Sequence, residues 1–182
     1  SDTESVQTGY IYSMNLNTSF TGEDNLYVRL KGGDVGGTPT SGTSDDYSVW
    51  DSKPTYHIET KDTDDYFKLD KMWYSFPIGK DITAFVGPRI ENYYMYITPS
   101  IYQPGVLKSM KLGGNSNFGA STDVGYGFKY ENDAGFGFAS NIVSKGADGS
   151  AGHLGKLDES KWDTQIAYTT DQWHVSATLS NQ

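Results

Sequence analysis

The stretch from Ile11 to Asp34 alternates between apolar and polar side chains, and this pattern constrains the fold more than any other feature. Two alternating runs flank the turn-forming residues 21–24, with apolar positions at Met14, Leu16, Phe20, Leu26, Val28 and Leu30. Successive side chains of a strand point to opposite faces, so this hairpin has one face in an apolar phase and the other in water. The apolar phase is either a protein core or lipid. Lipid is an option because Ile11 to Phe20 has the roughly 9–11 residues that a tilted strand needs to cross a bilayer.

The residue usage favours strands and turns. The chain of 182 residues has 14 Tyr, 8 Phe, 4 Trp and 21 Gly, a composition typical of β-structure with frequent turns. Its length suits a single domain over residues 1–182. No apolar run approaches the roughly 18 residues of a transmembrane helix, whereas alternating strands can span a bilayer at modest mean hydropathy.

Charge and cysteine content exclude several classes of function. The net charge is −9, from 23 acidic and 14 basic residues, so nucleic acid is not expected as a partner. An acidic surplus suits a cation-attracting vestibule, and it equally suits ordinary solubility. Cysteine is absent, which excludes a disulfide framework and thiolate chemistry.

Connections between the predicted strands alternate in length. Short turns at 21–25, 77–81, 132–135 and 169–172 alternate with long connections at 32–65, 88–121 and 144–160. Outer-membrane barrels have short turns on one side and long loops on the other, with aromatic girdles at both interfaces. Aromatic residues concentrate at the predicted strand ends: Tyr10, Tyr12, Phe20, Tyr66, Trp73, Tyr74, Phe76, Trp162, Tyr168 and Trp173. The fold class predicted is all-β, an antiparallel transmembrane β-barrel.

The segment 89–119 is predicted to be a loop folded against the rest of the protein. Pro99 and Pro104 forbid a long regular element, and five aromatic residues indicate packing. A helical turn is expected near Val106–Met110, a short strand at Thr55–Thr60, and the end of the strand Ile82–Val86 at Gly87-Pro88. A packed long loop is where function is expected.

Four motifs carry a family resemblance. In this order, LNTSFTGEDNLYVRLKGGD, FPIGKDITAFVGP, NYYMYITPSIY and GYGFKY resemble the barrel of cyanobacterial outer-membrane porins, the iron uptake or Som-type family related to carbohydrate-selective porins. The similarity covers about Ile11 to Gln182. It implies a homotrimeric porin in the cell outer membrane, in contact with outer-membrane lipid, that forms a passive diffusion channel for small solutes and inorganic ions.

The same resemblance implies parts that this chain does not contain. Family members have a barrel of about sixteen strands by porin precedent. They also carry an N-terminal surface-layer-homology domain that holds peptidoglycan. Roughly nine strands are predicted here, so the chain is expected to be a fragment that lacks this domain and the remaining strands.

If the barrel forms, side chains of polar parity line its interior. The predicted pore-lining residues are Asn15, Asn17, Ser19, Tyr27, Arg29, Lys31, Lys129, Glu131, Asp163, Gln165, His174 and Ser176. Charged rings and a folded-in loop decide which ions pass through a channel. A constriction is predicted where the tyrosine-rich loop begins, at Arg89, Glu91, Asn92 and Tyr94. The alternative is that this loop packs into the wall or contacts a neighbouring subunit.

Other chemistries find little support in the sequence. His57, His153 and His174 show no metal-ligand spacing, so neither a metal site nor a cofactor is predicted. The run 62–65 resembles the start of a calcium loop, but Tyr66 and Phe67 occupy the positions of a ligand and a glycine in an EF-hand. No nucleophile elbow, Walker loop or dinucleotide fingerprint is present, so no enzyme is expected.

One hypothesis from another class fits the same composition. A secreted β-sandwich that binds carbohydrate through exposed Tyr and Trp side chains would have similar turns and aromatic residues. It predicts an apolar parity buried between two sheets and solubility without detergent. The porin predicts an apolar parity that faces lipid.

Overall fold

The chain folds into one antiparallel sheet. The computed structural model describes residues 9–35, 61–63, 66–97, 122–145 and 159–181. Within these ranges there are nine strands: β1 (Ile11–Thr18), β2 (Asn25–Val35), β3 (Lys61–Asp62), β4 (Lys68–Ile78), β5 (Ile82–Ile90), β6 (Asp123–Glu131), β7 (Phe136–Lys145), β8 (Glu159–Thr169) and β9 (His174–Asn181). A single 3₁₀ turn, Asn92–Met95, is the one helical element in this part of the chain. The predicted all-β, antiparallel architecture is confirmed.

The strands pair in the order in which they occur along the chain. Eight of them form the path β1-β2-β4-β5-β6-β7-β8-β9, and the short β3 pairs with the far end of β2. Strands β1 and β9 are the edges of this path, and no pairing joins them within the described ranges. Closure into a barrel is therefore not observed in this part of the chain. No helical segment in the described ranges has the length and hydropathy needed to cross a membrane.

The four predicted short turns are present, and glycines with positive φ angles shape three of them. Gly22, Gly79 and Gly135 have φ angles of 93°, 70° and 86°, a region that disfavours side chains with a Cβ. At Gly135 a Cβ would also meet the carbonyl oxygen of Thr169, so this turn packs directly against β8.

A carboxylate organises the first turn. Asp24 Oδ1 accepts hydrogen bonds from Ser19 Oγ at 2.6 Å and from the backbone N–H groups of Phe20 and Thr21 at 3.0 and 2.8 Å. Asp24 Oδ2 accepts a bond from the Tyr74 hydroxyl on β4, also at 2.6 Å. The bond from Ser19, followed by that from Tyr74, lowers the pKa of the Asp24 carboxyl well below its usual range. The turn is thereby tied to the strand beside it.

The two faces of the sheet differ in chemistry. On one, named here the apolar face, cross-strand partners are apolar in row after row, as where Leu26 pairs with Tyr74, Tyr74 with Val86 and Val86 with Tyr126. On the other, named the polar face, Asn141 pairs with Asp163 and Ala139 with Gln165. The core lies on the polar face, where Trp73, Phe85, Ile90, Met95 and Val143 form a buried cluster.

Two expectations about local structure are wrong. Strand β5 does not stop at Gly87-Pro88 but continues to Ile90. Its pairing with β6 shifts register between Gly87 and Ile90, so Pro88 sits at an irregularity where no ladder hydrogen bond is required of it. Trp73 is not part of an exposed girdle, because it is buried on the polar face. The predicted strand Thr55–Thr60 and helical turn Val106–Met110 lie outside the described residues.

The Asp24 turn predicts a pH dependence of stability. The folded-state pKa of Asp24 lies below its unfolded value of about 3.9, so its contribution to the free energy of unfolding is present above about pH 4 and is lost as pH falls further. We expect Asp24→Asn to unfold at lower urea concentration than the wild type at pH 7, with a gap that narrows at pH 3. Asp171→Asn is the control, since Asp171 lies exposed in the β8–β9 turn. A gap of equal size at both pH values would contradict the prediction.

Candidate functional site

The register of the sheet brings the predicted pore-lining residues onto one face. Asn15 on β1 pairs with Arg29 on β2, and Gln165 on β8 pairs with Thr178 on β9. The polar face holds Asn15, Asn17, Tyr27, Arg29, Lys31, Lys129, Glu131, Asp163, Gln165, His174 and Ser176. Ser19 lies beyond the end of β1, in the turn held by Asp24.

A short segment after β5 packs across this face. We name residues 91–97 the strap; it includes the 3₁₀ turn and contacts β6, β7 and β8. Asn92 Nδ2 donates to Asn141 Oδ1 at 2.8 Å and to the carbonyl oxygen of Lys161 at 3.0 Å. Asn92 and Asn141 are both buried, which makes these bonds costly to break.

Two further hydrogen bonds attach the far end of the strap to β8. The Tyr96 hydroxyl donates to the buried carboxylate of Asp163, and the backbone N–H of Ile97 donates to Gln165 Oε1 at 2.8 Å. Gln165 Nε2 in turn donates to Thr178 Oγ1 on β9 at 3.0 Å. The strap is thus connected through Gln165 to the edge strand of the sheet.

A buried ion pair holds the start of the strap. Glu91 Oε2 lies 2.6 Å from Lys71 Nζ on β4, and the Lys71 side chain is only 2% exposed. Glu91 Oε1 accepts a hydrogen bond of 2.8 Å from Thr122 Oγ1, the residue before β6. One carboxylate therefore joins β4, the point where the chain leaves β5 and the point where it enters β6. The Lys71 ammonium also lies 5.1 Å from the ring centroid of Tyr94, within cation–π range.

Packed aromatic rings connect the strap to strands β4 and β2 of the sheet. The ring centroids of Tyr27 and Trp73 are 4.2 Å apart, those of Trp73 and Tyr94 4.5 Å, and those of Tyr94 and Tyr93 4.3 Å. Aromatic pairs at such separations add to the stability gained by burying their area. Burial raises the pKa of the Tyr94 hydroxyl to about 12, so this side chain is neutral at physiological pH.

Glycines on the polar face make room for the strap. A Cβ at Gly137 would lie 2.9 Å from Ile97 Cγ2, and a Cβ at Gly125 would lie 2.7 Å from Ile90 Cγ2. Both distances are shorter than side chains tolerate, so larger residues here would displace the strap or the end of β5. The alternation of glycine with aromatic residues in GYGF and GFGF is the sequence signal of this close approach.

The predicted constriction residues separate into two groups. Glu91, Asn92 and Tyr94 lie in the strap and make the contacts described above. The prediction is wrong for Arg89: on β5 it is the cross-strand partner of Met72, so the register places it on the apolar face, away from the strap. It is exposed and donates at 3.4 Å to the carbonyl oxygen of Asp70. Among the predicted pore-lining residues, Asp163 and Gln165 touch the strap, whereas Lys129 and Glu131 pair with each other at 2.6 Å.

Sequence reasoning missed four residues that hold the strap. Lys71, Trp73, Asn141 and Tyr96 were not predicted as site residues, although each makes a buried contact there. For Lys71 and Asn141 the available signal was parity, since each shares the polar face with a predicted lining residue. Nothing in the sequence pairs Tyr96 with a residue 67 positions away.

The described residues offer no place for a metal. No three His, Asp or Glu side chains come together in these ranges in an arrangement that could hold an ion. A pocket of about 480 Å³ lies at the turn end of the polar face, lined by Ile97, Glu131, Asn132, Asp133, Phe136, Thr169 and Asp171 among others.

The buried ion pair predicts an asymmetry between single and double substitutions. Glu91→Gln leaves the Lys71 ammonium buried without its carboxylate, so we expect the free energy of unfolding to fall by about 3–5 kcal/mol. Adding Lys71→Met should recover a large part of this loss, because the uncompensated charge is gone. Chemical denaturation of Glu91→Gln, of Lys71→Met and of the double variant measures both effects.

A solvent-exposed ion pair serves as the control for this cycle. Lys80 and Asp133 pair across two turns with side chains that are 72% and 83% exposed. Lys80→Met should change the free energy of unfolding by less than about 1 kcal/mol. Additive losses from Glu91→Gln and Lys71→Met would show that the two side chains are not energetically coupled.

Comparison of the chain with protein-family models, with curated proteins and with solved structures gives no match in any of the three. The resemblance to cyanobacterial outer-membrane porins therefore remains a prediction from the sequence. What the geometry itself provides is a sheet with one exposed apolar face, one polar face, and a strap attached across the polar face.

Proposed function

We propose that the protein is an outer-membrane porin that forms a passive diffusion channel for small solutes and inorganic ions. The observation that carries this proposal is the exposure of the apolar face. Large apolar side chains are exposed there on seven of the eight strands of the path, all except β2, whose apolar side chains are half-buried. They include Met14, Leu16, Leu69, Ile78, Val86, Tyr126, Phe128, Phe136, Trp162, Ile166, Tyr168, Val175 and Leu179.

An apolar surface of this extent has to be covered by lipid or by other protein. Soluble monomeric proteins rarely expose contiguous apolar patches larger than a few hundred Å². Here the exposed residues follow one parity on seven strands from β1 to β9, and no second sheet covers them within the described ranges. Lipid satisfies such a face without further protein, as on the outside of a transmembrane barrel.

Aromatic residues near both ends of the strands support the same proposal. Toward the short turns, Phe20 lies 6.2 Å from Tyr74 and Tyr168 lies 5.5 Å from Trp173, measured between ring centroids. At the opposite end, Tyr12 lies 4.6 Å from Phe67. Tyr and Trp side chains favour the interface between lipid and water, which makes two such groups suitable as girdles.

The polar face and the strap supply the features of a channel wall. Side chains that can hydrogen-bond or carry charge follow this face from β1 to β9, as the interior of a water-filled barrel requires. The strap crosses this face and would narrow the passage in front of it. Under this proposal Glu91, Asn92 and Tyr94 contribute to the constriction. Arg89 does not, because it pairs with Met72 on the apolar face.

The remaining parts of the proposal depend on the sequence resemblance. These are membership of the iron uptake porin family, the homotrimer, attachment to peptidoglycan through a domain outside this chain, and closure into a barrel of about sixteen strands. Closure would pair both edges, β1 and β9, with strands that the described residues do not include.

Conductance tests the proposed function. In planar bilayers the purified full-length protein should produce stepwise increases in current, with steps grouped in threes if trimers insert. Bilayers exposed to detergent alone are the control. Absence of conductance, together with monomeric behaviour in buffer without detergent, would contradict the proposed porin function and favour the carbohydrate-binding β-sandwich instead.

A pair of lysine substitutions tests which face meets lipid. Ala177 and Ser176 are adjacent and exposed on β9 but lie on the apolar and polar faces respectively. In protein folded into lipid bilayers, Ala177→Lys should lower the free energy of unfolding by up to about 2–4 kcal/mol, according to its depth. Ser176→Lys should change it little. Equal effects at the two positions, measured by urea unfolding, would contradict a lipid-facing apolar face.

A further inference from the structure

The strap lies along β8 and leaves one carboxylate oxygen there without a partner. Its hydrogen bonds reach positions 161, 163 and 165, which are alternate residues on the polar face of that strand. At the middle position, Asp163 Oδ2 accepts the bond from the Tyr96 hydroxyl. Asp163 Oδ1 accepts no hydrogen bond within the part of the chain that the structure describes, although the side chain is fully buried.

Two buried amides beside this carboxylate have the same deficit. Asn92 Nδ2 uses both of its protons, one to Asn141 Oδ1 at 2.8 Å and one to the carbonyl oxygen of Lys161 at 3.0 Å. These bonds fix the orientation of both amides. Turning Asn92 over would place its oxygen against the Lys161 carbonyl, and turning Asn141 alone would place two nitrogens together. Asn92 Oδ1 and Asn141 Nδ2 thus remain buried, with no hydrogen bond to any described residue.

The three side chains are neighbours beneath the strap. Asn141 is bonded to Asn92 and is also the direct cross-strand partner of Asp163. Side chains directly opposite each other in an antiparallel pair have Cβ atoms about 4.5–5.5 Å apart. On β6, the residue opposite Asn141 is Gly127, which has no side chain to contribute. On β9, the residue opposite Asp163 is Ser180, which is exposed.

The unpaired atoms define the chemistry of a ligand. They are two acceptors, the oxygens of Asp163 and Asn92, and one donor, the nitrogen of Asn141. A water molecule donates two hydrogen bonds and accepts at least one, so it complements this set. Buried waters in proteins typically make about three hydrogen bonds to polar groups that would otherwise be unsatisfied. A metal ion or an ammonium group fits less well, because the Asn141 amide presents protons and no lone pair to the site.

We propose that one water molecule is bound between the strap and the sheet, where it donates to Asp163 Oδ1 and Asn92 Oδ1 and accepts from Asn141 Nδ2. This water is a structural ligand that joins the strap to β7 and β8. It stabilises the position of the strap, because each buried polar group that it bonds would otherwise cost free energy. The proposal does not rest on the porin function, since the site lies beneath the strap whether or not the polar face lines a channel.

A crystal structure of the purified full-length protein tests the proposal. We expect one isolated peak of electron density within about 2.5–3.2 Å of Asp163 Oδ1, Asn92 Oδ1 and Asn141 Nδ2, the range of ordinary hydrogen bonds. Crystals grown with thallium(I) in place of potassium separate water from a cation, because bound thallium scatters anomalously. A peak without anomalous signal supports the water. An anomalous peak, or direct contact between Asp163 and either amide with no peak, overturns it.

Nuclear magnetic resonance of the same protein, with nitrogen-15 in its asparagines, adds a matched control. Cross peaks between water and the Asn141 side-chain amide protons should have the sign that marks a long-lived bound molecule. Asn25 is the control, because its Nδ2 donates to Asn17 Oδ1 at 3.1 Å in an exposed asparagine pair. Water beside Asn25 should give the sign of rapid exchange.

The substitutions Asn141→Leu and Asn25→Leu each remove one pair of amide signals and thereby assign them. The long-lived sign at Asn141 alone supports the bound water. Any other combination of signs at the two asparagines overturns it. Neither measurement involves conductance, so failure of this proposal leaves the proposed function standing.

Discussion

The period of two along a β-strand is the constraint on which the rest of this structure depends. Each strand sends alternate side chains to opposite faces, and the antiparallel register keeps partners on the same face from one strand to the next. The apolar parity of β1 therefore continues through Leu26 and Tyr74 to Val175 on β9. A shift of one residue in the register of β2 would bring Arg29 and Lys31 into the apolar face.

The strap converts a polar face into a site with a defined shape. It is attached at one end by Glu91 and Asn92 and at the other end by Ile97, each bonded to a different part of the wall. Glycines at 125 and 137 allow its close approach, and the Tyr94 ring packs on Trp73. Burial of polar groups raises the cost of any alternative position, because each bond lost leaves a donor or acceptor unsatisfied.

Much of the fold could be predicted from short-range patterns. Alternation located the long strands, and short turn sequences, three of which contain glycine, located the four hairpins that join β1 to β2, β4 to β5, β6 to β7 and β8 to β9. Local patterns failed where the ladder is irregular. The sequence predicts that β5 ends at Gly87-Pro88, but a register shift lets the strand continue past Pro88 to Ile90. The same kind of irregularity inserts Asp70 beside Arg29, and no residue pattern announces it.

Sequence by itself determined which side chains share a face, because parity is a local property of each strand. For that reason the predicted lining residues on the strands lie together on the polar face, and Ser19, beyond the end of β1, is the exception. Tertiary structure alone decided which of them touch the strap and where charges meet across strands. The contact between Tyr96 and Asp163 and the pairing of Lys31 with Lys68 depend on registers set by the whole sheet. Contacts over such separations are specified by the sum of many weak pairings, and no single stretch of sequence contains that information.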